Sequence, residues 1–257
     1  MYILQCRRSD FRYLVICMKK IVKQLCCVTG LLALSFSAHA VTVESSLVSN
    51  LSKVAPTLNK DVLNHAVAAM QCAVNHGTPP SQRLAVIDFS LPSSERRLWI
   101  FDLTSRQLVL QDWVAHGQGS GDNLANRFSN IEGSHQSSIG LFRTQESYSG
   151  RHGYSLRLDG LEKGFNDQAR SRAIVIHPAD YVDTSWIKRQ GRIGRSQGCP
   201  AVRPEVAKQV VDSLKGGQFM FSWYPDQNWL EASAYLNCGA TQQLASTDKN
   251  AGVADRR

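Results

Sequence analysis

Several things this chain lacks narrow what it can do. It has no Cys-x-x-Cys and no His-x-x-x-His pair, and its histidines are scattered, so the ligand spacing that zinc sites use is missing and no metal is expected. It has no basic tract interleaved with aromatics, which argues against a nucleic-acid partner. Its apolar run Leu25–Phe36 is too short for a stable membrane span. No internal repeat is present, which excludes a solenoid or propeller. The tryptophans (Trp99, Trp113, Trp186, Trp223, Trp229) are too dispersed for a sugar-binding row and read as core or cleft wall.

What is there begins with an export signal. Met18-Lys19-Lys20 and Lys23 are basic, Leu25–Phe36 is apolar, and Ala38-His39-Ala40 offers the small residues a signal peptidase reads. We expect a secretory signal peptide over 18–40, cleaved after Ala40. Residues 1–17 then read as a misassigned upstream start, the alternative being a long n-region. The expected address is the periplasm or cell envelope, or the medium. Six of the 29 basic residues and one of the 21 acidic residues lie in 1–40, which leaves 23 and 20, so the net charge falls from +8 to +3. That mild charge is compatible with an anionic cell-wall polymer without requiring one.

The same cut leaves three cysteines, Cys72, Cys199 and Cys238. In an oxidising compartment an odd count implies one pair and one spare thiol. We expect a Cys72–Cys238 disulfide with Cys199 free; three unpaired thiols is the alternative.

About 217 residues remain after the leader, enough for one domain with a sizeable core. Residues 41–82 read as an N-terminal helical segment. In it Asn59 caps a helix to about Asn75 whose apolar face includes Val62, Leu63, Ala66, Val67, Met70, Ala73 and Val74. Residues 83–240 read as the main domain, with strands at Leu84–Phe89, Leu98–Leu103, Leu108–Val114, Ile139–Thr144, Tyr154–Leu158, Ala173–His177 and Gln218–Trp223. Thr104-Ser105-Arg106 reads as a hairpin turn. Pro204–Leu214 reads as a helix with proline at its first position and Gly216-Gly217 past its end, and Asn228–Leu236 as a second short helix. His116 to His135 is glycine-rich and aperiodic, a long functional loop. Residues 241–257 read as a disordered tail. The expected class is mainly β with peripheral helices.

The chemistry sits in Ser196-Gln197-Gly198-Cys199-Pro200 and in His177, which closes the apolar run Ile174-Val175-Ile176. A thiolate is the nucleophile and needs a base, and an imidazole suits that role near neutral pH. Gly198 lets the backbone approach a substrate closely, and the Gly198 and Cys199 amides are candidates for binding a developing oxyanion. The Ser196 hydroxyl is placed to bond a neighbouring backbone group or a substrate. Further candidates to line a cleft are His116, His135 and His152 on loops, Tyr154 as a hydrogen-bond donor, and Arg203 as a bidentate partner for a carboxylate. A buried structural cysteine beside a satisfied histidine is the bland reading of the same residues.

Ser196-x-Gly198-Cys199 preceded by a strand-borne histidine resembles the L,D-transpeptidase (YkuD-type) catalytic domain. The likeness covers about residues 83–225 and includes HGQGSG, RFSN, GSHQSS, RHGYSLRLDGLEKGFNDQARSRAIVIH and GRSQGCPAV. The chain departs from the family pattern where Gln197 replaces a second histidine, and the 18 residues between His177 and Ser196 are slightly more than usual. The resemblance implies a YkuD-like β-sandwich fold and a two-step acyl transfer on peptidoglycan stem peptides. Cys199 forms a thioacyl-enzyme with His177 as base, and an acceptor amine resolves it into a 3-3 crosslink, with no cofactor. A monomer is expected. Hydrolysis of the same bond (L,D-carboxypeptidase), a cysteine peptidase and a non-catalytic wall-binding protein are the alternatives. Papain-like proteases place the cysteine before the histidine in sequence, the reverse of the order here.

Overall fold

In β1 (Arg83–Asp88), Leu84 and Val86 point into one apolar layer and Ala85 and Ile87 into another. A strand alternates its side chains between faces, so a run apolar at every position is stable only where both faces are covered. The structure, a computed structural model describing residues 46–238, places β1 inside such a sheet. The expected leader and tail lie outside the described residues.

β2 (Leu98–Asp102) and β3 (Gln107–Asp112) form the first hairpin. Asp102 Oδ1 accepts the Thr104 and Ser105 amides at 2.8 and 2.9 Å, and Arg106 takes a positive φ of 59°. β4 (Gly140–Gly150) and β5 (Gly153–Gly160) form a longer hairpin. β6 (Val175–Pro178), β7 (Ala201–Val202) and β8 (Phe219–Trp223) complete the set. Among the described residues the order is β3-β2-β1-β8-β4-β5-β6-β7, with β1–β8 and β6–β7 parallel and the other pairs antiparallel. The mainly β architecture expected from the sequence is the one observed.

Helices cover both faces. α1 (Lys60–Asn75) is capped by Asn59, whose side chain accepts the Asp61 amide at 2.7 Å. Its buried face, including Val62, Leu63, Ala66, Val67 and Met70, packs with Leu84, Val86, Trp99, Phe219 and Phe221. The expected boundary at 82/83 therefore separates two elements that share one core. A further helical stretch, residues 46–54, joins that core through Val48 and Leu51. α2 (Thr184–Gln190) is held by its ends: Asp183 accepts the Ser185 amide, and Gly191 closes it at φ 76°. α3 (Pro204–Leu214) buries Ala207, Val210, Val211 and Leu214 against the opposite layer. α4 (Gln227–Ala232) is anchored by buried Trp229.

Buried Glu162 ties this last element to the sheet. Its carboxylate accepts the Leu141 amide at 2.7 Å, Trp229 Nε1–H at 2.8 Å and the Ser233 hydroxyl at 2.6 Å, while burial pushes its pKa up. Cys72 on α1 is joined to Cys238 by a disulfide. Among the described residues no helix is long and apolar enough to cross a membrane.

Candidate active site

The site lies where β6 and the chain entering β7 run side by side. His177 is paired with Ala201, and the His177 amide reaches Pro200 O at 3.4 Å. This brings the Ser196–Cys199 turn beside residues 173–177. Cys199 is the one free cysteine among the described residues, and it is partly exposed.

Ser196 builds the turn. Its hydroxyl accepts the Gly198 amide at 3.1 Å and donates to the Cys199 carbonyl at 2.6 Å. Gly198 sits at φ 124°, and a Cβ there would come within 2.9 Å of Gln136 O and 3.1 Å of Ile174 Cδ1. Both the backbone angle and the lack of space demand glycine. The close approach observed at Gly198 is to Gln136 of the strap formed by residues 136–138, not to a substrate. The expectation that the Gly198 amide faces an oxyanion is corrected here, because that N–H is engaged by Ser196.

The glycine-rich loop backs the turn. Gln118 N–H donates to Ser196 O at 2.8 Å and Ser196 N–H to His116 O at 2.9 Å. The Ser137 hydroxyl donates to Gly198 O at 3.0 Å and accepts the Gly117 amide at 3.0 Å. A Cβ on Gly117 would lie 2.7 Å from Gly198 Cα, so this glycine permits the loops to touch.

His177 is buried. Its Nδ1 lies 2.9 Å from Pro178 O, and a carbonyl can only accept, so Nδ1 carries the proton and Nε2 the lone pair. Desolvation holds its pKa below the ordinary histidine value, opposed by the Pro178 hydrogen bond and reinforced by neighbouring His152. The Cys199 thiol hydrogen-bonds to backbone: Val175 N–H donates to Sγ at 3.5 Å and the thiol donates to Ala173 O at 3.6 Å. Ala173 takes a positive φ of 54°, a conformation costly for a non-glycine residue. Burial pushes the thiol pKa up, with Val175 N–H and Arg172 acting against it. Both shifts favour the neutral form of the group concerned, and the thiol donates to the backbone at Ala173 O.

The other sequence candidates separate. The β4–β5 hairpin tip brings exposed His152 to His177, with ring centroids 4.8 Å apart, and Gly153 packs beside Pro178. Half-buried His135 accepts the Gln118 side-chain amide at Nδ1 at 2.9 Å, next to the Ser196 turn. Three candidates are corrected. His116 is fully buried: Nδ1 accepts from Arg97 at 2.6 Å and Nε2–H donates to Gly121 O at 3.3 Å, and burial lowers its pKa to about 3. It presents no surface to a ligand. Tyr154 points at α3, donating to Asp212 at 2.9 Å, so it is a packing residue. Arg203 makes a bidentate pair with buried Asp112 at 2.9 and 2.6 Å, so its fork is occupied within the chain.

Two functional-looking arginines were missed by sequence reasoning. Arg97 is fully buried, donating to Val114 O, Leu91 O and His116. Arg172 bonds four groups of residues 129–138, and its charge acts on the thiol. Nothing in sequence spacing distinguishes either from a surface cation. The ligand atoms of Cys72, His76 and Cys238 lie within 4.8 Å of one another, but the disulfide removes both sulfurs as thiolate ligands.

A family described as the L,D-transpeptidase catalytic domain matches residues 54–223. Solved structures similar to the chain include an L,D-transpeptidase from Mycobacterium smegmatis, at 12% identity and a TM-score of 0.35 over 56% of this chain and 60% of that one. An L,D-transpeptidase from Stackebrandtia nassauensis has 11% identity and a TM-score of 0.34 over 63% and 66%. Bd1075 from Bdellovibrio bacteriovorus has 19% identity and a TM-score of 0.35 over 56% and 48%. The match thus spans about 60% of the Mycobacterium smegmatis chain. No curated protein matches. With the family match spanning most of the chain, including the His177 strand and the Ser196–Cys199 turn, the chain belongs to the L,D-transpeptidase catalytic-domain family.

Proposed function

We propose that the protein is an exported acyltransferase that joins peptidoglycan stem peptides through a Cys199 thioester, with His177 as the base. The single observation that carries this reading is the free Cys199 on a glycine-demanding turn beside a strand ending in His177. The imidazole is held there with Nε2 as its open nitrogen.

When a stem peptide enters, the thiol turns from Ala173 O and gives its proton to His177 Nε2 as sulfur attacks the carbonyl of the L-centre. A tetrahedral oxyanion forms, and the Cys199 amide is the turn's remaining candidate donor. Collapse breaks the bond to the terminal D-residue, whose nitrogen takes the proton from His177. The thioester then meets an acceptor amine. That amine loses its proton to His177, the new amide forms, and the sulfur leaves as thiolate and is reprotonated. Water as acceptor gives the trimmed tripeptide instead. Because both environments favour the neutral forms, proton transfer accompanies attack, with His177 Nε2 as the accepting atom.

Incubation with defined disaccharide-tetrapeptides, read by mass, tests the reading. Dimers with a 3-3 linkage support transfer, and tripeptide alone supports the carboxypeptidase alternative. Absence of both products, with Cys199 intact, refutes the enzyme.

A further inference from the structure

Arg172 lies five residues before His177, and its guanidinium reaches across to the strap that backs the nucleophile turn. Nη1 donates to Ser129 O at 2.5 Å and to the Ser138 hydroxyl at 2.7 Å, and Nη2 donates to Gln136 O at 2.7 Å and the Ser134 hydroxyl at 3.2 Å. These contacts draw residues 129–138 together from four points. Gln136 O, at one end of the fork, is the atom that would sit 2.9 Å from a Cβ on Gly198, and Ser137 next to it holds Gly198 O at 3.0 Å. On its other side Arg172 precedes Ala173, whose positive-φ carbonyl accepts the thiol. One side chain therefore joins the strap behind the turn to the segment that parks the sulfur.

We propose that Arg172 is a positioning residue for the Cys199 nucleophile, clamping the strap against the Ser196–Cys199 turn and placing a fixed cation beside the sulfur. The guanidinium is half-buried, so solvent screens it less than a surface charge, and its planar fork suits two carbonyls and two hydroxyls as a lysine ammonium would not. Its effect on the thiol agrees in direction: Arg172 favours the thiolate against the opposing desolvation. The other ionisable groups that act electrostatically on Cys199 and Arg172 are Tyr181, whose phenol burial pushes up, and exposed Glu132. His177 stands on β6, and His152 reaches it from the β4–β5 turn, with ring centroids 4.8 Å apart.

This goes beyond the proposed reaction, and its test needs no wall substrate. The full chain is alkylated with iodoacetamide across the pH range bracketing the ordinary thiol pKa of about 8.5, and Cys199 modification is followed by mass. Arg172→Gln is expected to raise the pH midpoint by about one unit, the low end for removing a nearby opposite charge. Arg172→Lys keeps a charge but not the fork, so its midpoint stays within about half a unit of wild type, and its plateau rate rises at least about threefold as the loosened strap uncovers the sulfur. An unchanged midpoint in a folded Arg172→Gln protein, as a purely structural arginine would give, overturns the proposal. If that variant does not fold, Arg172→Lys decides: a wild-type plateau rate overturns the proposal and the faster plateau sustains it. Failure of muropeptide turnover would leave these alkylation results untouched, so the two readings fail separately.

Discussion

Replacing Ser196 with alanine should disable the turn without touching sulfur or imidazole. Ser196 is 5% exposed, and its hydroxyl both accepts the Gly198 amide and donates to the Cys199 carbonyl. Each neutral hydrogen bond is worth about 1 kcal/mol net, and each buried partner left unpaired costs roughly 1–3 kcal/mol more. Partial relaxation of the turn recovers some of this, so a loss of about 2 kcal/mol is expected. For a domain of this size that corresponds to a melting temperature lower by about 4–8 °C. The larger effect is on geometry. A turn that no longer fixes the Cys199 backbone misplaces both the sulfur and its N–H, and kcat/KM should fall by about 10²-fold, the scale of a 1 Å misplacement. Ser196→Thr retains the hydroxyl and should retain most of the activity. Thermal melts, muropeptide turnover and the pH dependence of alkylation are measured together. An Ser196→Ala protein with wild-type kcat/KM would refute the view that this hydroxyl organises the nucleophile.

Five further outcomes are expected. His177→Ala should abolish turnover. In the wild type the acid limb of kcat/KM should fall below the ordinary histidine pKa of about 6.5, because burial lowers the pKa and keeps the base neutral to lower pH; a limb above that value contradicts the environment described. Arg203→Ala should leave the donor KM unchanged and destabilise the fold by roughly 2 kcal/mol, since it leaves buried Asp112 unpaired while the arginine itself is part-exposed; a selective rise in KM would restore Arg203 as a substrate ligand. His116, with its pKa lowered to about 3, binds its proton in the unfolded chain first, so stability should decline as pH falls from about 6.5 toward 3, at up to about 1.4 kcal/mol per unit. His116→Gln should flatten that decline in acid-unfolding curves, and an unaltered slope counts against it. Cys72→Ser should lower stability by roughly 3–5 kcal/mol, because the disulfide closes a span of 166 residues, while leaving Cys199 alkylation unchanged.

Local signals carried much of the fold. β1 was legible because Leu84–Ile87 are apolar without a break, and α3 because Pro204 opens it and Gly216-Gly217 follow it. The Thr104-Ser105-Arg106 turn was legible from its residue types. α2 escaped because none of its residues is buried, so it has no apolar period, although Asp183 and Gly191 are ordinary caps. β7 is two residues long, and β4 continues to Gly150 through polar residues that pair only because β5 lies beside them. At the site, Ser196, Gly198, Cys199 and His177 could be named because their chemistry is local to one short motif and one strand end. Arg203 and Tyr154 have the right functional groups for a ligand, but their partners, Asp112 and Asp212, lie 91 and 58 residues away. Shorter gaps, 19 residues between Arg97 and His116 and 34 to 43 between Arg172 and its strap, hide those partners too. A charge-bearing residue reads as a candidate until the fold supplies its counterpart.

The most direct test is to trap the covalent intermediate. The protein is mixed with a disaccharide-tetrapeptide donor without acceptor, quenched in acid, and the acyl group mapped by mass on peptides prepared without reduction. The account predicts a thioester on Cys199 carrying the donor less its terminal D-residue, absent in Cys199→Ala and strongly reduced in His177→Ala. An unmodified Cys199 in wild-type protein that nonetheless turns over the donor, or an acyl group on another residue, would contradict it.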